Sequence, residues 1–422
     1  NCRGIHDRMA KQQLEAIEHV LQFLEESGFS ASLTTLEKES GLKCSKSGGK
    51  KAGYLLSALG VYQEYLNPKG ENKEKKLDRE IEDHLVNPKG GKLKLVSQGI
   101  STPAEHKKNV IDVRFCTRSG CENIVASADF GSRIEMRDIT TSKSTVIDGL
   151  IKPPVLTMDF SKESNLLAVG CMDGSHFLVD TGIQDAKNLG KTEVSPKIVQ
   201  FFDKHGKYVN RVRWNEAGTA FATCSYDKEV RIYQPRNKTF GIAERFMFRR
   251  GVACIEWGNG SNSHILYVSL QEDNYIHSID TKAMKKGDRY NMNSFEDDHV
   301  SFSALDLRCS YDGKYLLVGT DKDRVIMFAS NSNKQVRNFY GADAGKYFNP
   351  RAVFDQNQSH CYALSYDNTI VGWDVGSQRT LSKLKGHSKM IRTLDIHQDK
   401  PVLVTGSYDK TVRIWSPQSA CQ

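Results

Sequence analysis

At 422 residues, 38% hydrophobic and 26% charged, the chain has an ordinary globular composition and more length than one typical domain needs, which points to a small module joined to a large one. No apolar run is long enough to span a bilayer, and the opening residues carry Arg3, His6, Asp7, Arg8, Lys11, Glu15 and Glu18 where a secretory signal would be apolar. Neither membrane insertion nor export is therefore expected; the expected compartment is the cytoplasm, with the nucleus or cytoskeleton as alternatives. The net charge of +8 is modest and scattered, mildly favouring an acidic partner surface without establishing nucleic-acid binding.

The first methionine is Met9, directly before the first patterned segment, and it is the expected start of translation. From there Leu14, Ile17, Val20, Leu21 and Leu24 recur at helical spacing, and Leu33 and Leu36 continue the pattern after the turn Ser27-Gly28-Phe29-Ser30. Two short amphipathic helices over 9–42 follow from this. A hairpin of that length cannot bury its apolar face alone and must pack on something. Its apolar first helix, its Gly28-Phe29 turn and the acidic residues Glu37 and Glu39 resemble the LisH motif. That resemblance implies a homodimer through Leu14, Ile17, Leu21, Leu24, Phe29, Leu33 and Leu36; docking on the rest of its own chain is the alternative.

Residues 43–91 read as a linker with short helices. Its basic Gly/Ser start has Cys44 where a phosphate loop needs its first Gly, so it is no nucleotide site; Tyr54–Leu66 is apolar enough for one more helix. The ten cysteines contain no C-x-x-C pair, Cys116 and Cys121 being nearest in sequence, and Cys171, Cys224 and Cys361 sit among apolar residues. They read as buried thiols of a reducing compartment, not as a metal or disulfide framework.

From residue 92 the character changes to short alternating apolar runs broken by turn residues. Seven similar units follow one another: His106–Asp138, Val155–Asp180, Asn210–Tyr233, Val252–Asp280, Phe302–Phe328, Pro350–Asp374 and Gly386–Trp415. The turns SYDKEV (225–230) and SYDKTV (407–412) match almost letter for letter. A spacing of about 35 to 55 residues is that of a repeat that closes into a propeller.

Gly386-His387, Ser407-Tyr408-Asp409 and Trp415, with Trp373-Asp374 one unit earlier, resemble a WD repeat, and the resemblance covers roughly 92–416. It implies an all-β, seven-bladed WD40 β-propeller behind the small α-helical module. It also implies that His, the turn Asp, a Ser or Thr and Trp form one hydrogen-bonded network inside a blade: His106 with Asp129, His205 with Asp227, and His387 with Asp409 and Trp415. A His–Asp pair that recurs once per repeat is a turn fastener, not a catalytic dyad. The fourth to sixth units lack the His, and in the fifth the turn Thr320–Asp323 is shifted, so those blades are expected to be looser. A ring needs closure against an open edge, and Leu93–Gln98 (LKLVSQ) has the alternation to supply the last blade's fourth strand.

The same resemblance implies an exposed residue just before the turn Asp: Tyr226, Tyr366 and Tyr408, with Met172 in the corresponding place and Asn210 and Arg392 on the rim. Tyr and Met suit interface centres, so this is the candidate protein-binding face; packing of each Tyr on a neighbouring loop is the alternative. No G-x-S-x-G, H-E-x-x-H or clustered metal-ligand set occurs, so no enzyme, metal or cofactor is expected. The expected function is a dimeric protein-interaction scaffold; proteins of the LisH–WD type serve microtubule motors, cilia and centrosomes, ubiquitin ligases or transcription and splicing complexes. The alternative is a fixed subunit of a large assembly, ribonucleoprotein included, using Arg245, Arg249, Arg250, Lys282, Lys285, Lys286 and Arg289 as a basic patch.

Overall fold

A computed structural model describes residues 100–102, 106–190, 195–293, 297–345 and 348–417. The hairpin expected over 9–42, the linker over 43–91 and the strand expected over 93–98 lie outside the described residues. The described residues form seven four-stranded antiparallel sheets, with no α-helix among them. No helix among the described residues is long and apolar enough to cross a membrane.

In chain order the blades span 110–147, 155–201, 209–247, 252–291, 304–340, 352–385 and 391–415, the last completed by a strand from the start of the domain. The alternating runs become strands because β-branched and aromatic side chains fit a pleated surface between partners. Burial falls from the inside outwards. The innermost strand of the first blade, Val110–Phe115, is buried along its whole length, whereas the outermost strand of the second, Lys197–Phe201, alternates exposed and half-buried positions. The second strands, covered on both sides, read as nearly continuous apolar runs, as Leu166–Cys171 and Tyr315–Thr320 do, and outer strands, wet on one side, read as alternation.

Apolar clusters join neighbouring blades. Val110, Val113 and Phe115 of the first blade pack with Val404, Val412 and Ile414 of the seventh, and Val230 and Ile232 of the third with Ile255 and Val268 of the fourth. Each such side chain contributes on the order of 1.5–3 kcal/mol when fully buried.

The strand that pairs with Val412–Trp415 is Ile100–Thr102, with Ile100 opposite Ile414 and Thr102 opposite Val412. The sequence expectation placed that strand at Leu93–Gln98. The pairing segment is short and lacks a long alternation, but two of its three residues are β-branched, and Pro103, which has no N–H to give a ladder, follows it in the sequence.

Six innermost strands are bulged just after their first residue, as between Val110 and Asp112 and between Val209 and Arg211. The extra residue sharpens the local twist. Because Val209 pairs with Ser225, and Ile391 with Ser407, the start of each innermost strand and the turn after the second strand share one end of the blade. That end is the first face; the turns after the innermost strands form the second face.

Candidate functional site

On the first face, three blades carry a buried fastening chain. His387 Nδ1 lies 2.8 Å from Asp409 Oδ2, its Nε2 lies 2.8 Å from Thr405 Oγ1, and Trp415 Nε1 donates to the same Oγ1 at 2.8 Å. One proton arrangement satisfies all three: the Thr405 hydroxyl donates to Nε2 and the imidazole donates from Nδ1 to the carboxylate. His205 makes the same pair of contacts with Asp227 (3.0 Å) and Thr223 (2.9 Å), and His106 with Asp129 (3.1 Å) and Ser127 (2.7 Å). The His side chains are completely covered, so solvent does not reach them.

In the third blade Tyr233 stands where Trp415 stands in the seventh, and its hydroxyl lies 2.6 Å from Nε2 of His176 in the second blade. Burial, then the neighbouring His205, holds the His176 imidazole down to about 3, so it is neutral at physiological pH. His205, Asp227 and Glu229 offer donor atoms within 4.8 Å of one another, as a metal site would. His205 is spent on Asp227 and Thr223, however, and Glu229 Oε2 is held by Arg231 at 2.6 and 2.9 Å, so these three are a fastener already filled by protein partners. Blades without the His use other bonds: His277 with Asp273 at 3.0 Å in the fourth, the Ser303 amide to Asp321 at 2.8 Å in the fifth, and the Asp343 amide to Ser365 at 2.9 Å in the sixth.

The fasteners set out one equivalent position per blade, marked by a backbone N–H that donates into the loop leading to the innermost strand. It is occupied by Phe130, Met172, Tyr226, Gln271, Asp321, Tyr366 and Tyr408, with N···O distances of 2.8 to 3.4 Å. Five of the seven are large and apolar or aromatic. Phe130 (47%), Met172 (49%) and Tyr366 (49%) are about half exposed, while Tyr226 and Tyr408 are partly covered. Tyr226 leans on Tyr208, 5.3 Å between ring centroids, with the Lys207 ammonium 4.7 Å from its ring. For this residue, packing on a neighbouring loop accounts for part of its surface.

Phe130 escaped the sequence reading for a geometric reason. In the first blade the bonded Asp129 sits opposite Val110, where the third blade has Ser225 opposite Val209, so counting one residue back from the Asp lands on buried Ala128. Asn210 occupies the bulge of the third blade and its amide donates to Val252 O of the fourth, which makes it a brace between blades; Arg392 occupies the matching bulge of the seventh and is half-buried. The basic residues of the third and fourth blades do not gather into one patch. Arg249 and Arg250 lie at the first face, Lys285, Lys286 and Arg289 run along an outer strand, and Lys282 follows the third strand at the second face. Arg245 lies 3.4 Å from Asp203 and Arg250 2.6 Å from Glu272, while Lys286 and Arg289 cover the rings of Phe248 and Tyr275.

Sequence reasoning also missed the ionic column on the propeller axis. Matching positions of the innermost strands carry Asp112, Thr157, Arg211, Cys254, Asp306, Arg351 and Thr393, and two residues further on Arg114, Asp159, Arg213, Glu256, Arg308, Val353 and Asp395. Arg351 reaches Asp112 at 2.5 Å and Thr393 at 2.6 Å, Arg213 reaches Glu256 at 2.9 Å, Arg308 reaches Asp395 at 2.5 Å, and Arg211 pairs with Asp306. The second set alternates in sign from blade to blade. Perfect alternation cannot close around seven members, and uncharged Val353 takes the odd place, with Arg308 reaching past it to Asp395. The column opens at the second face into a cavity of about 380 Å³ lined by Arg114, Asp159, Arg213, Glu256, Arg308 and Asp395. Opposite charges balance there, so the column ties blades together across the axis.

Comparison with known proteins agrees with this architecture. The family model for the WD domain, G-beta repeat, matches residues 196–234 and 378–416. Each match takes in the outermost strand of one blade and the inner three of the next, so the sequence repeat itself staples neighbouring blades. The chain is 30% identical over 106 residues to autophagy-related protein 16 of Arabidopsis thaliana, covering 25% of this chain and 20% of that protein. It is 26% identical over 119 residues to the WD repeat domain-containing protein 83 homolog of Dictyostelium discoideum, covering 28% and 36%. It is 27% identical over 114 residues to human DDB1- and CUL4-associated factor 10, covering 27% and 20%. The matches thus span between a fifth and just over a third of these relatives. The described residues thus form a seven-bladed β-propeller in which two stretches match the WD repeat, and WD40 propellers generally act as non-enzymatic platforms for other proteins.

Proposed function

We propose that the chain is a non-enzymatic scaffold of the cytoplasm that captures partner proteins on the first face of its propeller, and that residues 9–42 pair two copies into a homodimer. The observation that carries the first part is the set of half-exposed apolar side chains, Phe130, Met172 and Tyr366, at equivalent positions of one face, with Tyr226 and Tyr408 beside them. Large apolar groups held on short, hydrogen-bonded turns lose little freedom on binding, which suits them to anchor a partner. The covered His–Asp chains speak for a structural role of the groups that would otherwise look catalytic. A dimer would present two such faces and gain avidity for a partner that is itself repeated. The basic-surface alternative has weaker support, since much of that charge is paired or spread over both faces and an outer edge.

The test is native co-purification of the intact chain beside a Phe130→Ser, Met172→Ser, Tyr366→Ser variant whose melting temperature is unchanged. Partners lost only from the variant support the reading; an unchanged partner set refutes it. For the dimer, sedimentation at micromolar concentration should give two chains for the intact protein and one after deletion of residues 9–42; a monomer in both cases rules the pairing out.

A further inference from the structure

The first face is split by charge as well as by shape. The apolar anchors run as a crescent over the sixth, seventh, first, second and third blades (Tyr366, Tyr408, Phe130, Met172, Tyr226), and the fourth and fifth blades interrupt it with Gln271 and Asp321. Along the crescent, Lys389 and Lys410 of the seventh blade, Lys107 and Lys108 of the first, Lys152 of the second and Lys228 of the third are exposed. Among the described residues, no carboxylate lies within ion-pair distance of any of them. The carboxylates of the same sector are already engaged: Asp129, Asp227 and Asp409 with their histidines, Asp148 with Arg133 at 3.2 Å, and Asp173 with Lys204 at 2.5 Å. The free charge beside the anchors of the seventh, first, second and third blades is therefore positive, whereas Tyr366 of the sixth stands beside Asp343 and Asp367. The fifth and sixth blades reverse the sign, with exposed Asp323, Asp343 and Asp367.

Resting on the scaffold reading above, we propose that this crescent receives an extended segment of a partner protein in which carboxylates flank large apolar side chains, the apolar groups seating on Phe130 and its neighbours and the carboxylates facing the free lysines. A surface with one sign of free charge steers and retains the opposite sign, and rim charges of this kind set specificity and association rate. A nucleic-acid strand fits less well, because a continuous row of phosphates on the face would also meet the aspartates of the fifth and sixth blades. The free lysines lie on the apolar side of the face, so charge and anchors can be read by one short segment.

Selection of a displayed random-peptide library on the full-length chain tests this. The expected outcome is enrichment of peptides with Asp or Glu next to Phe, Trp, Leu or Met. One synthesised winner should lose about tenfold or more in affinity with Phe130→Ser and with the double variant Lys108→Glu, Lys410→Glu. The double variant should instead bind the same peptide with its acidic residues changed to Lys, a charge swap that a fold defect would not produce. If enriched peptides need Phe130 but show no acidic bias, the charge proposal is overturned and the scaffold reading stands. If they are indifferent to both variants, or none is enriched, both fail. A uridine oligonucleotide that binds the face more tightly than the peptide at equal ionic strength overturns the proposal in favour of nucleic acid.

Discussion

Replacing Arg351 with Met tests whether the ionic column holds the ring together. Asp112 is fully buried and accepts Arg351 Nη1 at 2.5 Å, Thr393 Oγ1 at 3.0 Å and the Met158 amide at 2.8 Å, so it joins the first blade to the second, sixth and seventh. Burial pushes its carboxyl up, but the charges of Arg351 and then Arg114, aided by the Arg351 hydrogen bond, outweigh burial and hold it well below the usual carboxylate range. Removing one partner of such a buried pair costs about 3–5 kcal/mol, because the remaining charge is stranded in the interior. With an unfolding entropy of about 2.1 cal/mol/K per residue over roughly 300 residues, about 4 kcal/mol lowers Tm by about 6 °C. In an Asp112→Asn background, where the acceptor stays but the charge is gone, the same Arg351→Met change should cost at most about 2 kcal/mol, which leaves a coupling of about 2 kcal/mol or more. The pH dependence has a definite sign. In the parent, the stability from a depressed carboxyl is present above the ordinary carboxylate range and is lost only as pH falls below it, so little goes by pH 4; in Arg351→Met the stranded carboxyl titrates high and is relieved by protonation, so the gap narrows toward pH 4. Urea and thermal unfolding of the four proteins at pH 7 and pH 4 measure this. A gap below about 1 kcal/mol at pH 7, an additive cycle, or a gap that widens at pH 4 would refute the reasoning.

The buried imidazole of His176, held to about 3, should keep neutral-form ring resonances in NMR between pH 7.5 and 5; because the unfolded chain protonates it first, it withdraws stability as pH falls below the ordinary histidine range. A midpoint near 6.5 would mean the ring is solvated. Asp227, which burial pushes up but His205 pulls further down, is held to about 2; Asp227→Asn should cost about 1–3 kcal/mol at pH 7, with the difference fading as pH falls from about 4 toward 2, as thermal melts across that window would show. Gly319 has no room for a side chain, since a Cβ there would lie 2.0 Å from the Pro350 carbonyl oxygen. Gly319→Ala should therefore cost about 2 kcal/mol or more in urea unfolding, against less than about 0.5 kcal/mol for Gly206→Ala, whose nearest neighbour would be 3.5 Å away.

The blades were legible because their signals are local. A turn such as Ser407-Tyr408-Asp409 announces itself, and the alternation on either side of it gives the strands. The closing strand was harder: Ile100–Thr102, which pairs with the strand Val412–Trp415, is too short to show alternation, and no local rule joins it to a strand some three hundred residues away in the chain. Phe130 was hidden because its blade moved the Asp, not the anchor, so the constant feature is the backbone bond to Asn109 and not a letter in the sequence. Asn210 looked like a rim residue and proves to be a brace, since its partner Val252 O belongs to the next blade. The axial column was invisible for the same reason: Asp112 and Arg351 look like unrelated surface charges until the ring closes and sets them face to face.

The most direct test of the scaffold account is amide hydrogen exchange of the full-length chain with and without a partner recovered by co-purification. The account predicts slowed exchange at the turns 130–133, 172–175, 366–368 and 408–411 of the first face. Protection confined to the second face, at 116–123, 215–218 and 258–262, or to the outer strands, would contradict it.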